Sequence, residues 1–287
     1  MLDLALSVCC SSLIFVIFKL YAVYKVETLY AIITNYFVAS IVGLFFYTGT
    51  VEPSHIAQQP WFLGTLLLGC LFILVFNLMA RTSQTVGVSV ASVATKMSLV
   101  IPVVFGVLVY GEKLGIIKII GILLALAAVY FASIKEKQIS ITKTTLILPI
   151  LVFLGSGIID TSIKYVQEVH IKENEFPLFS ATVFAAAAFM GLIYYLVISL
   201  KRPFKINIRN ILGGIALGVP NYFSIYYLLR ALQSPTLNSA SVFTINNVAI
   251  VMLSTLLGIL LFREQLSIKN WSGIALAIIS IILVAIF

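Results

Sequence analysis

Ten apolar blocks of about 20 residues follow one another along this chain, and that is the length an α-helix needs to cross a hydrocarbon core. They lie at about 2–23, 28–49, 61–81, 84–110, 114–134, 144–166, 176–199, 210–230, 236–261 and 267–286. Gly, Pro or charge separates them, as in "TGTVEP", "GEKLG", "KENEFP", "KRPFKINIRN" and "FREQLS". Of the 287 residues 61% are hydrophobic and 10% are charged. A soluble domain carries about a quarter charged residues, so the polar surface here is too small to cover a water-facing globule. In lipid every backbone N–H and C=O must be bonded internally, which leaves helices or a closed barrel. The blocks lack the apolar–polar alternation of barrel strands. The expected fold is an all-α integral membrane protein of ten transmembrane helices with no soluble domain.

Lys and Arg number 18 against 10 Asp and Glu, a net charge of +8. The cations sit mostly in short loops, where they set topology, and do not cluster with aromatics as a nucleic-acid surface requires. Cys9, Cys10 and Cys70 fall inside apolar blocks and read as small core fillers, without metal-ligand spacing. There is no phosphate-binding glycine loop, no metal cluster and no Ser/His/Asp set, so neither an enzyme, a cofactor nor ATP-driven transport is expected. "LDLALSVCCSSLIFVIF" has no basic leader and no small-residue cleavage site, and reads as a retained first span.

The halves resemble each other. A shift of about 152 residues lays Ser89 on Ser241, Gly106 on Gly258, Glu112 on Glu264 and Gly121 on Gly273. A shift of about 145 lays "SSLIFVIFK" on "SGIIDTSIK", matching Ser11 to Ser156 and Lys19 to Lys164. A unit of five spans crosses an odd number of times, so the second copy enters from the opposite side. The expected organisation is two inverted five-helix repeats, 1–136 and 137–287, in one membrane domain. Many secondary transporters obtain two interconvertible states from such repeats, with substrate bound between them near the midplane.

Ten spans arranged five plus five, "YGEKLG" after the fourth span echoed by "FREQLS" after the ninth, and the lysine ending the first span in "FVIFK" together resemble the drug/metabolite transporter superfamily, EamA-type. The resemblance implies a ten-helix carrier whose central cavity is lined by helices 1, 3, 4, 6, 8 and 9, with helices 5 and 10 as peripheral scaffold. The residues agree on the last point. "IIGILLALAAVYFA" and "SGIALAIISIILVAIF" hold nothing more polar than Ser or Tyr. They suit lipid, or a homodimer formed through helices 5 and 10.

An ionisable group at membrane depth is costly, by about 2.5–3.5 kcal/mol at a helix centre, and normally faces a cavity or a partner. Lys96 lies near the centre of the fourth span. It either attracts an anionic substrate group or pairs with a carboxylate. Asn246 and Asn247 sit at the same depth in the ninth span, beside Val248, the repeat equivalent of Lys96. Each amide offers donors and acceptors to a substrate. In the eighth span, "GVPNYF" places Pro220 beside Asn221 and Tyr222. Pro220 and Pro102 remove backbone donors and are candidate hinges. Asn221, Tyr222 and Ser12 complete the substrate-binding candidates. Asp160 stands four residues before Lys164 in the sixth span, so the two form a helix-face ion pair, or Asp160 partners Lys96 or carries a coupling proton. Small residues at Ser11, Ser12 and Gly155–Gly157 suit close helix crossings. Glu112 and Glu264, at helix junctions, are expected to cap the helix that follows each. His55 and His170 have no partners at metal spacing.

Lys135, Lys137 and Lys143 in the five–six linker, and Lys201, Arg202, Lys205 and Arg209 in the seven–eight linker, lie on one side. "TGTVEPSHIAQQP" on the other has no Lys or Arg. The charge rule thus places both termini outside, whereas the resembled family usually keeps both inside. The expected location is a bacterial inner (plasma) membrane, as a multi-pass protein. The reading that follows is a secondary transporter, an exporter of small polar or amphipathic metabolites such as amino acids, working by alternating access and touching substrate and membrane lipids but no nucleic acid. Its alternatives are a lipid-linked headgroup flippase, marked by a lateral opening, and a non-transporting membrane scaffold.

Overall fold

The apolar blocks fold as helices. The structure is a computed structural model that describes residues 1–47, 56–110, 115–133, 143–170, 176–199, 207–232 and 239–286. Glu112, His55, Lys135, Lys137, Lys201, Arg202 and Lys205 lie outside these residues, as do the side chains of Lys143, Lys164, His170 and Ser241. Eleven helices of ten or more residues are described: α1 Leu2–Val23, α2 Thr28–Phe46, α3 Phe62–Thr85, α4 Val88–Met97, α5 Val100–Tyr110, α6 Ile116–Ser133, α7 Lys143–His170, α8 Phe176–Ser199, α9 Ile208–Leu232, α10 Ser239–Phe262 and α11 Ile268–Ile286. No strand occurs among the described residues. Eight segments are long and apolar enough to cross a membrane, the fourth being α4 and α5 together over Val88–Gly106. Two shorter apolar helices, Ile119–Ala132 and Ile268–Val284, complete the ten.

Successive spans run in opposite directions. The end of the bundle bearing Met1 is the near face; α1, α3, α6, α8 and α10 all finish at the opposite, far face. The third span is longer than expected, reaching Thr85 instead of residue 81. Its last turn is polar yet stays helical because its side chains find partners: Thr82 Oγ1 donates to the Leu78 carbonyl at 2.7 Å, and Gln84 Nε2 to the Phe18 carbonyl at 3.0 Å.

Small residues set the closest crossings. On α9, Gly214 and Gly218 are four apart and so share one face. A Cβ at Gly218 would stand 2.7 Å from Val38 Cβ and 2.8 Å from the Asn35 carbonyl, so α2 and α9 touch backbone to backbone there. Helices α6 and α11 pack antiparallel through the repeat-matched pair Gly121 and Gly273, which lie against Val284 and Ala132. Ser280 Oγ donates to the Gly121 carbonyl at 2.7 Å, and Asn270 Nδ2 to the Ala132 carbonyl at 2.8 Å. The two helices expected at the periphery therefore cover each other. Ile119, Leu123, Ile279 and Ile282 stay exposed on their outer faces.

Candidate functional site

Lys96 occupies the last turn of α4, and one residue beyond α4 the fourth span breaks at Ser98 and Leu99. The cause is Pro102. Having no N–H, it cannot bond the Ser98 carbonyl one turn earlier. That carbonyl instead accepts from the Ile101 N–H at 2.9 Å, a tighter turn that ends one helix and starts the next. The negative end of the α4 dipole then lies beside the Lys96 ammonium, which favours the charge. Discontinuous helices of this kind give a membrane interior free backbone groups and a charged end. Pro220, by contrast, lies inside an uninterrupted α9.

Asp160 on α7 faces Lys96 within electrostatic reach. Ser98 Oγ, at the helix break, donates to the Thr95 carbonyl at 2.6 Å and lies 3.1 Å from Asp160 Oδ2. No direct ion pair joins Lys96 and Asp160 among the described residues. The direction in which Asp160 points follows from helix geometry. Leu151, Leu154, Ile158 and Tyr165 form the exposed outer stripe of α7. Asp160 is two positions past Ile158, about 200° round the helix and so on the opposite stripe. On that inner stripe Phe153 and Ser156 are buried, whereas Asp160 is exposed and Lys96 half-buried. The inner stripe thus opens to accessible space one turn above Ser156. The Ser156 and Ser12 hydroxyls are buried without a hydrogen bond to the protein. Such a group carries a desolvation cost of about 1–3 kcal/mol, which any partner group reduces.

The amides separate into two settings. Ser7 Oγ donates to the Ser224 carbonyl at 2.8 Å and lies 3.2 Å from Asn246 Oδ1, a node where α1, α9 and α10 meet. Asn247, 8% exposed, is the next residue along α10. Asn221 Nδ2 donates to Asn35 Oδ1 at 3.2 Å and is only 4% exposed, so it joins α9 to α2. Tyr222 stacks on Phe46 at 5.9 Å and on Tyr226, against the near-face end of α2. Lys96 and Asp160 are therefore together, Asn246 and Ser12 lie on neighbouring helices, and Asn221 and Tyr222 belong to the α2–α9 seam. The side chain of Lys164 lies outside the described residues, so the expected Asp160–Lys164 pair is not described. Ser98 and Ser7 escaped the sequence reading. The signal for Ser98 was its spacing, two residues after Lys96 and four before Pro102.

Hydrogen bonds close the far face beneath this region. Ser83 Oγ donates to the Phe15 carbonyl at 2.8 Å, Gln84 Nε2 to Phe18, and Lys19 Nζ to the Gln84 carbonyl at 3.0 Å. These bonds knit α1 to α3. Glu264 was expected to cap the helix that follows it. That helix instead has a reciprocal cap of its own: Ser267 N–H donates to Asn270 Oδ1 at 3.0 Å and Asn270 N–H to Ser267 Oγ at 3.2 Å. Glu264 is thereby released to cap α4, accepting from Val88 N–H at 2.6 Å and Ser89 Oγ at 3.0 Å. Gly87, at φ 150°, makes the turn that presents those donors. Gly258 leaves room for the carboxylate, since a Cβ there would lie 2.6 Å from Glu264 Oε2. Toward the near face, α7 and α9 hold the places that the repeat matches to α1 and α3. Among the described residues they share no such seam.

A family model described as the EamA-like transporter family matches residues 1–134. An uncharacterized protein of Haemophilus influenzae is 30% identical over 288 residues, covering 97% of this chain and 96% of its own. A solved crystal structure superposes with a TM-score of 0.59 at 15% identity, covering 96% of this chain and 95% of the other, a likeness of fold. With its ten apolar spans, the chain is a multi-pass membrane protein and belongs to the EamA-like transporter family.

Proposed function

We propose that the protein is a secondary transporter that exports small zwitterionic or amphipathic metabolites, amino acids among them, by alternating access between two inverted halves. The observation that carries this reading is the Lys96–Asp160 pair. Two opposite charges sit at membrane depth, near each other but not locked together, on the inward stripes of α4 and α7. A substrate with a carboxylate and an ammonium at short separation complements both at once. Lys96 would take the carboxylate, Asp160 the ammonium, and Asn246, Asn247 and the Ser12 hydroxyl would supply hydrogen bonds. The sealed far face and the exposed Asp160 correspond to a state open toward the near face. Conversion to the opposite state requires the Glu264 cap and the Lys19–Gln84 bond to open, and the break at Ser98 provides a hinge for it.

The test uses purified protein with a panel of amino acids, read by thermal shift and by counterflow in vesicles. Binding of zwitterions is expected to raise the melting temperature. Lys96→Ala should abolish both the shift and transport while expression stays near normal. Equal loss of expression and transport would mean that Lys96 only holds helices together.

The flippase alternative calls for a lateral opening between helices. A lateral groove does exist, of about 960 Å³, but its walls come from α2, α3 and α8 and include neither Lys96 nor Asp160.

A further inference from the structure

We propose that this groove is a binding site for an anionic phospholipid of the far-face leaflet, independent of the transported substrate. The walls change character with depth. Toward the membrane centre they are apolar: Cys70, Ile73 and Leu74 on α3, and Met190 and Ile193 on α8. Asn77 follows, and one turn further toward the far face stands Arg81. Arg81 is exposed, and its guanidinium makes no hydrogen bond or ion pair among the described residues. An unpartnered guanidinium at the mouth of an apolar groove is costly facing hydrocarbon, and a phosphate is its natural partner. The spacing fits a glycerophospholipid. Asn77 lies about 6 Å deeper than Arg81 along the helix, the level of the glycerol esters when Arg81 holds the phosphate. Asn77 Nδ2 already donates to the Ile73 carbonyl at 2.7 Å, which anchors the side chain. Below Asn77 the apolar wall continues for about 10 Å to Cys70, which seats the upper part of an acyl chain. Charge complementarity favours an anionic headgroup, because Lys25, Arg209 and Arg263 are also exposed at the far face, and basic groups at one face attract anionic lipid.

Native mass spectrometry of the full chain, titrated with phosphatidylglycerol and with phosphatidylcholine, tests the proposal. Phosphatidylglycerol is expected to bind in preference. Arg81→Gln should weaken it about fivefold or more, as the loss of one basic contact implies. Leu74→Trp, which fills the groove, should remove both lipids. Arg209→Gln, an exposed cation at the same face but outside the groove, should weaken binding much less than Arg81→Gln. Equal affinity for the two lipids, or equal effects of Arg81→Gln and Arg209→Gln, would overturn the proposal. So would a Leu74→Trp protein that keeps its lipids but changes its oligomeric state, because the groove would then hold a second copy of the chain. None of these results depends on Lys96, so failure here leaves the transport reading standing.

Discussion

Single residues in this membrane protein differ in how far sequence reveals them. Glu264 sits 175 positions from the Ser89 hydroxyl it accepts from, a contact that exists only because α10 and α4 meet at the far face. Glu264→Ala leaves the Val88 N–H and the Ser89 N–H and hydroxyl without their acceptor, and should cost about 1–3 kcal/mol. The detergent melting temperature should drop by several degrees, with Gly258→Ala acting in the same direction by crowding the carboxylate. An unchanged melting temperature in both variants would show that the cap does not hold the far face. Lys96 stands out in the sequence as an isolated charge in a 25-residue apolar run, and Asp160 stands among its candidate partners. For Asn221 the sequence leaves open whether an amide in mid-span awaits a substrate or a neighbour. Its neighbour, Asn35, is 186 residues away. Arg81 carries no local signal, since nothing in the sequence shows that three helices leave a groove beside it.

Helices and their crossings were the more legible scale. Length and hydropathy place the spans. A proline six residues past Lys96 announces a weak point in the fourth, although the break falls one turn before the proline, at the carbonyl it cannot serve. Pro102→Ala restores that donor. The variant is expected to be more stable, by up to about 3 kcal/mol if α4 and α5 fuse, and to transport at least several-fold more slowly. Counterflow rates together with thermal unfolding check this, and an unchanged rate would remove Ser98 as the hinge. At the α2–α9 crossing, Gly218→Ala must displace the Asn35 carbonyl or Val38, whereas at Gly64 a Cβ would meet only Val166 Cγ2 at 3.7 Å. Gly218→Ala should therefore destabilise by about 1–3 kcal/mol and Gly64→Ala by much less. Comparable losses would mean that the close crossing is not a tight one.

At the scale of the whole molecule, the far face carries exposed Lys25, Arg209 and Arg263, whereas the near face holds the paired Asp3 and Arg230, 3.6 Å apart. If charge sets orientation, both termini are outside. A C-terminal alkaline phosphatase fusion should then be active and a fluorescent-protein fusion dark, and the opposite pattern would show that the family habit prevails over the charge count. The same asymmetry bears on the conformational state proposed above, since hydrogen bonds knit α1 to α3 at the far face and Asp160 is exposed. The central claim is that Asp160 and Lys96 border water and not acyl chains. With Cys9, Cys10 and Cys70 replaced, single cysteines at Asp160 and at Ile158 can be challenged with a charged thiol reagent that reacts only in water. The expected result is fast labelling of Asp160→Cys from the near face and little labelling of Ile158→Cys. Labelling at Ile158 but not at Asp160 would contradict the claim, because the charged pair would then lie in a dry interior.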